Sequence, residues 1–250
     1  MAHVCADWPA PPGVRAVQTL RRGGVSRPPY DHFNLADHCG DDPLAVAENR
    51  RSLVRELALP GEPRWLHQVH GIQAIELPAA PGASLSADAV WTTAPGVVCA
   101  VLTADCLPVL LAATDGSAVA AVHAGWRGLV AGVLEATLAA LPVRPERVQA
   151  WLGAAIGPQA FEVGPEVRTA FLADQPEAAA GFRPGREDRW QADLYALARL
   201  RLRRAGLTQI SGGGACTYTD AARYYSFRRE ARCGRMATLI WRENAFTAGE

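Results

Sequence analysis

The chain has 250 residues, 49% hydrophobic and 20% charged, enough to bury one sizeable core in an ordinary globular protein. Lys plus Arg and Asp plus Glu are both 25, a formal net charge of zero. That balance argues against a surface that coats nucleic acid or an anionic membrane, since both need basic excess. No run approaches the ~18 uninterrupted apolar residues of a membrane span. The opening MAHVCADWPAPPG lacks the basic start and apolar core of a signal peptide, so a cytoplasmic protein is expected. The six cysteines (5, 39, 99, 106, 216 and 233) form no CxxC pair and are expected as thiols.

In chain order, VRAVQTL (14–20) alternates like a half-buried strand. Residues 23–43 are rich in Gly, Pro, Asn and Asp and predict a long structured loop. Asp42 before Pro43 is a helix start, a cap with proline at the first helical position, and the helix runs through AVAENRRSLVRELAL. PRWLHQV and IQAIEL read as short strands flanking His70-Gly71. GVVCAVLT (96–103), LPVLLAA (107–113) and SAVAAVHA (117–124) are short and nearly all apolar, the pattern of strands buried on both faces.

GLVAGVLEATLAAL (128–141) predicts an amphipathic helix, RVQAWLG (147–153) a strand and GPEVRTAFLAD (164–174) a helix. Residues 175–188 read as a surface loop, followed by a helix (189–205), a strand near 207–211 and a last strand, MATLIW (236–241). The basic run RLRLRR (199–204) closes that helix before Gly206, where cations complement the helix dipole on a solvated face. No composition break marks a linker. One α/β domain over 1–250 is expected, with a core from about 14 to 242 and a mixed sheet.

Three strand ends carry chemistry: WLHQVHG with His67 and His70, TADC with Asp105 and Cys106, and VHAGWRG with His123. Turns are where a scaffold exposes reactive groups. Converged at one end of the sheet, His70, Cys106 and His123 would leave a fourth tetrahedral position open, the pattern of catalytic zinc. The same residues also allow a Cys106–His123 nucleophile pair, or an inert buried thiol beside a core histidine. The spacing does not choose among the three.

The ordered motifs GGVS, FNLADHCGDDP, NRR, QVHG, SADAVWTTAPG, TADCLPVLL, VHAGWRG, GAAIGPQAFEVG, CTYTD and YYSFRRE…GRMATLIW span about residues 23–241. In that order they resemble the purine nucleoside phosphorylase family of YfiH type, formerly called multicopper polyphenol oxidase or laccase-domain proteins. The resemblance implies an α/β (α+β) fold with mixed sheets and outer helices, an α/β/β/α sandwich. It implies His70, Cys106 and His123 as ligands of zinc. It also implies phosphate attack on adenosine, inosine or methylthioadenosine, giving base and ribose 1-phosphate, with adenosine deaminase side activity.

Within that reading Arg127 and Arg50 are candidates to hold phosphate by forked contacts. Asp88 and Asp105 are candidates to orient a ligand imidazole or handle protons. Ser26 and Asn34 are candidates to read base or ribose hydroxyls. Ser226, Arg228 and Arg235 match the family stretch without an assigned role, and His67 reads by default as a packing or surface histidine. Ala154 stands where relatives usually carry proline, which questions loop rigidity. Two rival activities use the same motifs: a Cys106/His123 amide hydrolase editing peptidoglycan precursors, and a copper oxidase. The six histidines form no HxH run, which disfavours copper. Purine nucleosides and phosphate are the expected partners, with no nucleic acid and no membrane.

Overall fold

A computed structural model of the chain describes residues 3–80 and 82–244. Residues 1, 2, 81 and 245–250, included above in the single domain, lie outside the described residues. The amino-terminal part holds β1 (His3–Cys5) and β2 (Val14–Thr19), then the long loop and α1 (Pro43–Glu56). Asp42 caps α1 as its sequence demands, its side chain accepting from Leu44 N at 2.9 Å. Next come β3 (Ala74–Glu76), β4 (Ala89–Thr92), β5 (Val98–Thr103), β6 (Leu107–Ala113) and β7 (Val119–Ala124). They are followed by α2 (Trp126–Ala131), α3 (Val133–Ala140), β8 (Val148–Leu152), β9 (Glu162–Val163) and α4 (Pro165–Asp174). β10 (Phe182–Pro184), β11 (Trp190–Ala192), α5 (Leu194–Arg204), β12 (Ile210–Gly212) and β13 (Met236–Arg242) complete the order.

Two large sheets stack face to face. One is antiparallel, in the order β1-β2-β13-β5; the other is mixed, in the order β12-β8-β6-β7-β4-β3, with β3 and β12 in parallel pairs at its edges. A small sheet, β10-β11-β9, lies apart. Alternation along single strands defines the layers. Cys99 and Val101 of β5 face Leu110, Ala112, Val119 and Ala121 of the second sheet. Val98, Ala100 and Leu102 face the other way, onto Phe33, Leu35 and Leu53 of the loop and α1. Val109, Leu111 and Ala113 of β6 turn outward onto Leu134, Leu138, Leu197 and Leu202 of α3 and α5. The result is the α/β/β/α sandwich. Every residue of β5, β6 and β7 is buried, which is why these strands show no polar alternation.

Four local readings change. The helix over 128–141 is two helices, because Gly132 takes φ +99° and ends α2 before α3 begins. The predicted 189–205 helix begins only at Leu194, where the Asp193 side chain caps Ala196 N at 3.0 Å; the preceding residues form β11. The 175–188 loop contains a 3-10 turn and β10, since Ala178 and Phe182 are buried in the main core. PRWLHQV is extended but makes only an isolated bridge, His67 to Ser86. Instead of a neighbouring strand, the Gln68 amide pairs with β5, donating to Leu102 O and accepting from Leu102 N, both at 2.8 Å.

The basic run on α5 is largely absorbed by the fold. Arg201 pairs with Glu135 at 2.8 Å and Asp174 at 2.9 Å, and Arg199 donates to Ile210 O and Gly212 O. All six cysteines are free thiols. No helix among the described residues is long and apolar enough to cross a membrane.

Candidate metal centre

The three strand ends do meet. β7 is rigid because both its faces are packed, and it delivers His123 near its last residue, opposite Pro108 of β6. Cys106 sits in the tight turn from β5 to β6, directly after Asp105, whose φ of +97° is unusual for a non-glycine residue. His70 lies in the QVHG turn with φ +60°. The ligand atoms of His70, Cys106 and His123 all lie within 4.8 Å of one another. Cys106 Sγ is 3.9 Å from His70 Nε2, and the two imidazoles meet edge to face with centroids 4.8 Å apart.

Asp88, fully buried just before β4, organises this cluster. Its carboxylate accepts from the backbone N–H groups of Val69, His70 and Gly71 at 3.2, 2.9 and 2.7 Å, which stabilises the left-handed turn at His70. The same carboxylate accepts from His123 Nδ1 at 2.7 Å. Burial opposes its ionisation, yet the bonds from His123, Gly71 and His70 hold the carboxyl below its usual range. An ionised carboxylate only accepts, so Nδ1 of His123 carries the proton and Nε2 is left for the cluster. Asp88 therefore orients the His123 imidazole. Gly125 is a space requirement: a Cβ there would stand 2.9 Å from His70 Cδ2 and 3.0 Å from Cys106 Sγ.

Burial also works against the Cys106 thiolate, but the charge and hydrogen bonding of His123 and His70 outweigh it and bring the pKa down to about 6. Burial disfavours the His123 imidazolium as well, and the Cys106 thiolate with Asp88 raises it above the ordinary histidine value. Without a metal the pair rests as thiolate and imidazolium. Alkylation of Cys106 in chelator-treated protein should follow a pH midpoint near 6, where a free thiol gives about 8.5. A midpoint at the ordinary value would refute the pairing.

The donor set fits a metal. Ligands of a tetrahedral zinc stand about 3.5 Å apart, close to the observed separations, and two imidazoles with one thiolate suit that ion. The carboxylate behind His123 is the usual second support of such a ligand. Among the described residues this is the one group of three or more His, Cys, Asp or Glu side chains so placed.

The cluster opens onto a cleft of about 520 Å³, also lined by Gln68, Asp105, Trp126, Arg127, Phe161, Phe227, Arg228 and Arg235. Arg127 is exposed at its edge, stacked on Trp126 at 4.5 Å. Asp105 ties the cleft walls: Oδ1 accepts from Thr217 Oγ1 at 2.6 Å, and Oδ2 from Arg228 N at 2.7 Å. Phe161, Phe227, Gln68 and His38 line the cleft without having been singled out from the sequence; their only signal was membership of the matched motifs.

Three expected substrate residues are not brought to the cleft. Ser26 is buried, donating to Asp41 and accepting from Asn49. Asn34 is buried too, and its amide is fully engaged with Ala36, Asp41 and the backbone of Arg235. Both brace the polar loop. Arg50 donates to Leu35 O, stacks on Trp65 at 4.6 Å and lines a separate groove of about 640 Å³ along α1. His67 is exposed and does not line the cleft. Ser226 is buried and accepts from Arg229 N. Ala154 recovers rigidity another way: its N–H, which proline would lack, donates to Gln18 Oε1 at 2.8 Å.

The family model described as multi-copper polyphenol oxidoreductase laccase matches residues 15–243. The chain belongs to this family. A Pseudomonas aeruginosa protein named purine nucleoside phosphorylase is 53% identical over 241 residues, covering 96% of this chain and 98% of that protein. The Escherichia coli K12 protein named purine nucleoside phosphorylase YfiH is 52% identical, covering 95% and 98%. The crystal structure of a Neisseria meningitidis protein superposes with a TM-score of 0.94 at 45% identity, covering 98% of this chain and all of that one. YlmD from Geobacillus stearothermophilus gives 0.85 at 30% identity, with 93% of each chain covered. The resemblance and the sandwich fold drawn from the motifs therefore hold.

Proposed function

We propose that the protein is a zinc-dependent purine nucleoside phosphorylase. The observation that carries this reading is the His70–Cys106–His123 cluster at the floor of a cleft furnished with arginines, in a chain similar along its whole length to proteins so named. Adenosine, inosine and methylthioadenosine are the proposed substrates, and adenosine deamination a side activity. In the reaction a phosphate oxygen forms a bond to C1′ of the ribose as the C1′–N9 bond breaks. The electron pair leaves with the purine, which takes up a proton, and ribose 1-phosphate remains.

Each part of the cleft has work in that scheme. His70, Cys106 and His123 would hold zinc, which supplies Lewis acidity toward a bound oxygen. Asp88 keeps His123 in the tautomer a metal needs. Trp126, Phe161 and Phe227 offer apolar faces on which a purine can stack, and the cations answer the charge of phosphate.

A second reading has one observation in its favour. The depressed Cys106 thiol beside a protonated His123 is the resting pair of a cysteine hydrolase, which would suit amide cleavage in peptidoglycan precursor editing. Copper oxidase chemistry of the multicopper kind is disfavoured by the single three-ligand cluster among the described residues. The test is a nucleoside panel incubated with and without phosphate, with products identified. Base and ribose 1-phosphate appearing only with phosphate support the proposal. Phosphate-independent cleavage of an amide substrate, with no nucleoside turnover, would refute it.

A further inference from the structure

Phosphorolysis needs a place for the phosphate, and the cation next to the metal ligands is the least prepared to provide it. Arg127 is exposed, rests only on the Trp126 ring and makes no hydrogen bond among the described residues. A side chain so free loses more rotamer entropy on gripping an anion than one already held.

Two other arginines of the same cleft are held. Arg228 donates Nη1 to the carbonyl of Glu162 at 3.0 Å, and its guanidinium carbon lies 5.5 Å from the Phe161 ring centre. Its own backbone N–H is fixed by the Asp105 carboxylate at 2.7 Å. Arg235 donates Nη1 to the carbonyls of Cys233 and Gly234 at 2.9 and 3.1 Å and lies 5.7 Å from the Phe227 ring. Its backbone N–H is fixed by the Asn34 amide oxygen at 2.9 Å.

In both forks one nitrogen is anchored to main chain while Nε and Nη2 make no hydrogen bond among the described residues. Neither guanidinium is ion-paired with a carboxylate among those residues, whereas Arg21, Arg50, Arg201 and Arg223 each have such a partner. Two oriented, uncompensated forks in one cleft are an oxyanion site in waiting.

We propose that Arg228 and Arg235 form the phosphate subsite of the cleft, and that Asp105 and Asn34 are the positioning residues that hold them there. The inference rests on the phosphorolysis reading for the identity of the anion: inorganic phosphate, delivered to C1′ as the bond to N9 breaks. It gives buried Asn34 a purpose that its lack of exposure denied it as a substrate reader. The chemistry recognised is a tetrahedral oxyanion, whose other source would be the phosphoryl group of a nucleotide.

The experiment is calorimetric titration of the protein as purified with inorganic phosphate and, separately, with adenosine 5′-monophosphate. Arg228→Gln and Arg235→Gln should each weaken phosphate about 10- to 100-fold, the loss of a charge-assisted contact. The phosphate KM should rise in step while the nucleoside KM stays within about twofold. Arg228→Lys and Arg235→Lys keep the stem and charge; they should recover part of the affinity, which separates a lost contact from a misfolded variant.

Unchanged phosphate affinity in both Gln variants, or a loss confined to Arg127→Gln, would overturn the assignment. Tighter binding of adenosine 5′-monophosphate than of phosphate, lost in the same variants, would overturn the co-substrate identity. Because calorimetry reads phosphate directly, the subsite is judged even if no nucleoside is cleaved, so its failure is distinct from that of the phosphorolysis reading.

Discussion

Cys106→Ala and His123→Ala should each reduce bound zinc from near one per chain to trace, and phosphorolysis should disappear with it. The cluster offers three protein ligands and no fourth is close among the described residues, so no substitute can step in. Loss of a supporting residue behind a ligand already costs 10- to 100-fold in such centres, so loss of a ligand should cost at least about 100-fold in kcat/KM. Metal analysis and turnover on the same samples measure both. Cys106 is partly accessible in a turn, so Cys106→Ala should fold normally, and a near-native thermal midpoint would assign the loss to the site. Full activity in either variant, with zinc retained, would remove these residues from the centre.

Asp88→Ala should be the more damaging change for stability. It strips the acceptor from three backbone N–H groups of a part-buried turn and from the buried Nδ1 of His123. Each buried donor left unpaired costs about 1–3 kcal/mol, so a loss of about 3 kcal/mol or more is expected even if water enters to satisfy some of them. Zinc affinity should fall about 10- to 100-fold as the QVHG turn loosens and His123 loses its orientation. Chemical denaturation and titration against a chelator measure the two effects, and wild-type values in both would contradict the arrangement.

Asp88→Asn keeps the volume but points an amide N–H at a row of donors, so it should recover little. The pH dependence has a definite sign. The carboxyl is depressed in the folded protein, below the unfolded value of about 3.9, so its contribution is present above about pH 4. It is lost as pH falls through the folded value.

Much of this molecule was written in local pattern. The unbroken apolar runs of β5, β6 and β7 announce strands buried on both faces, and the Asp42-Pro43 pair announces α1. The residue types of the candidate metal centre were also legible, because QVHG, TADC and VHAGWRG each place a His or Cys that could hold a metal at a strand end.

Other features depend on partners far away in sequence, and no window of residues contains them. The 128–141 helix breaks because Gly132 adopts a left-handed conformation, a choice the pattern of apolar residues does not register. β11 forms because β9 and β10 lie beside it, overriding helical periodicity. Ser26, Asn34 and Arg50 look like substrate readers in a polar loop until the fold supplies their partners: Asp41, Asn49, the Arg235 backbone, Trp65. Conversely Arg228 and Arg235 match a family stretch that assigns them no role, and only the fold brings them into the cleft of His70, Cys106 and His123.

By itself, then, the sequence determined which strands are core, since burial follows from residue type and short spacing; His70, Cys106 and His123 were singled out as a ligand set by resemblance to a family, which their wide spacing could not do. The tertiary structure alone decided that these three meet, that Asp88 aims His123, and which arginines face the cleft. Convergence of groups up to 201 residues apart is set by strand order and by buried hydrogen bonds, which no local pattern encodes.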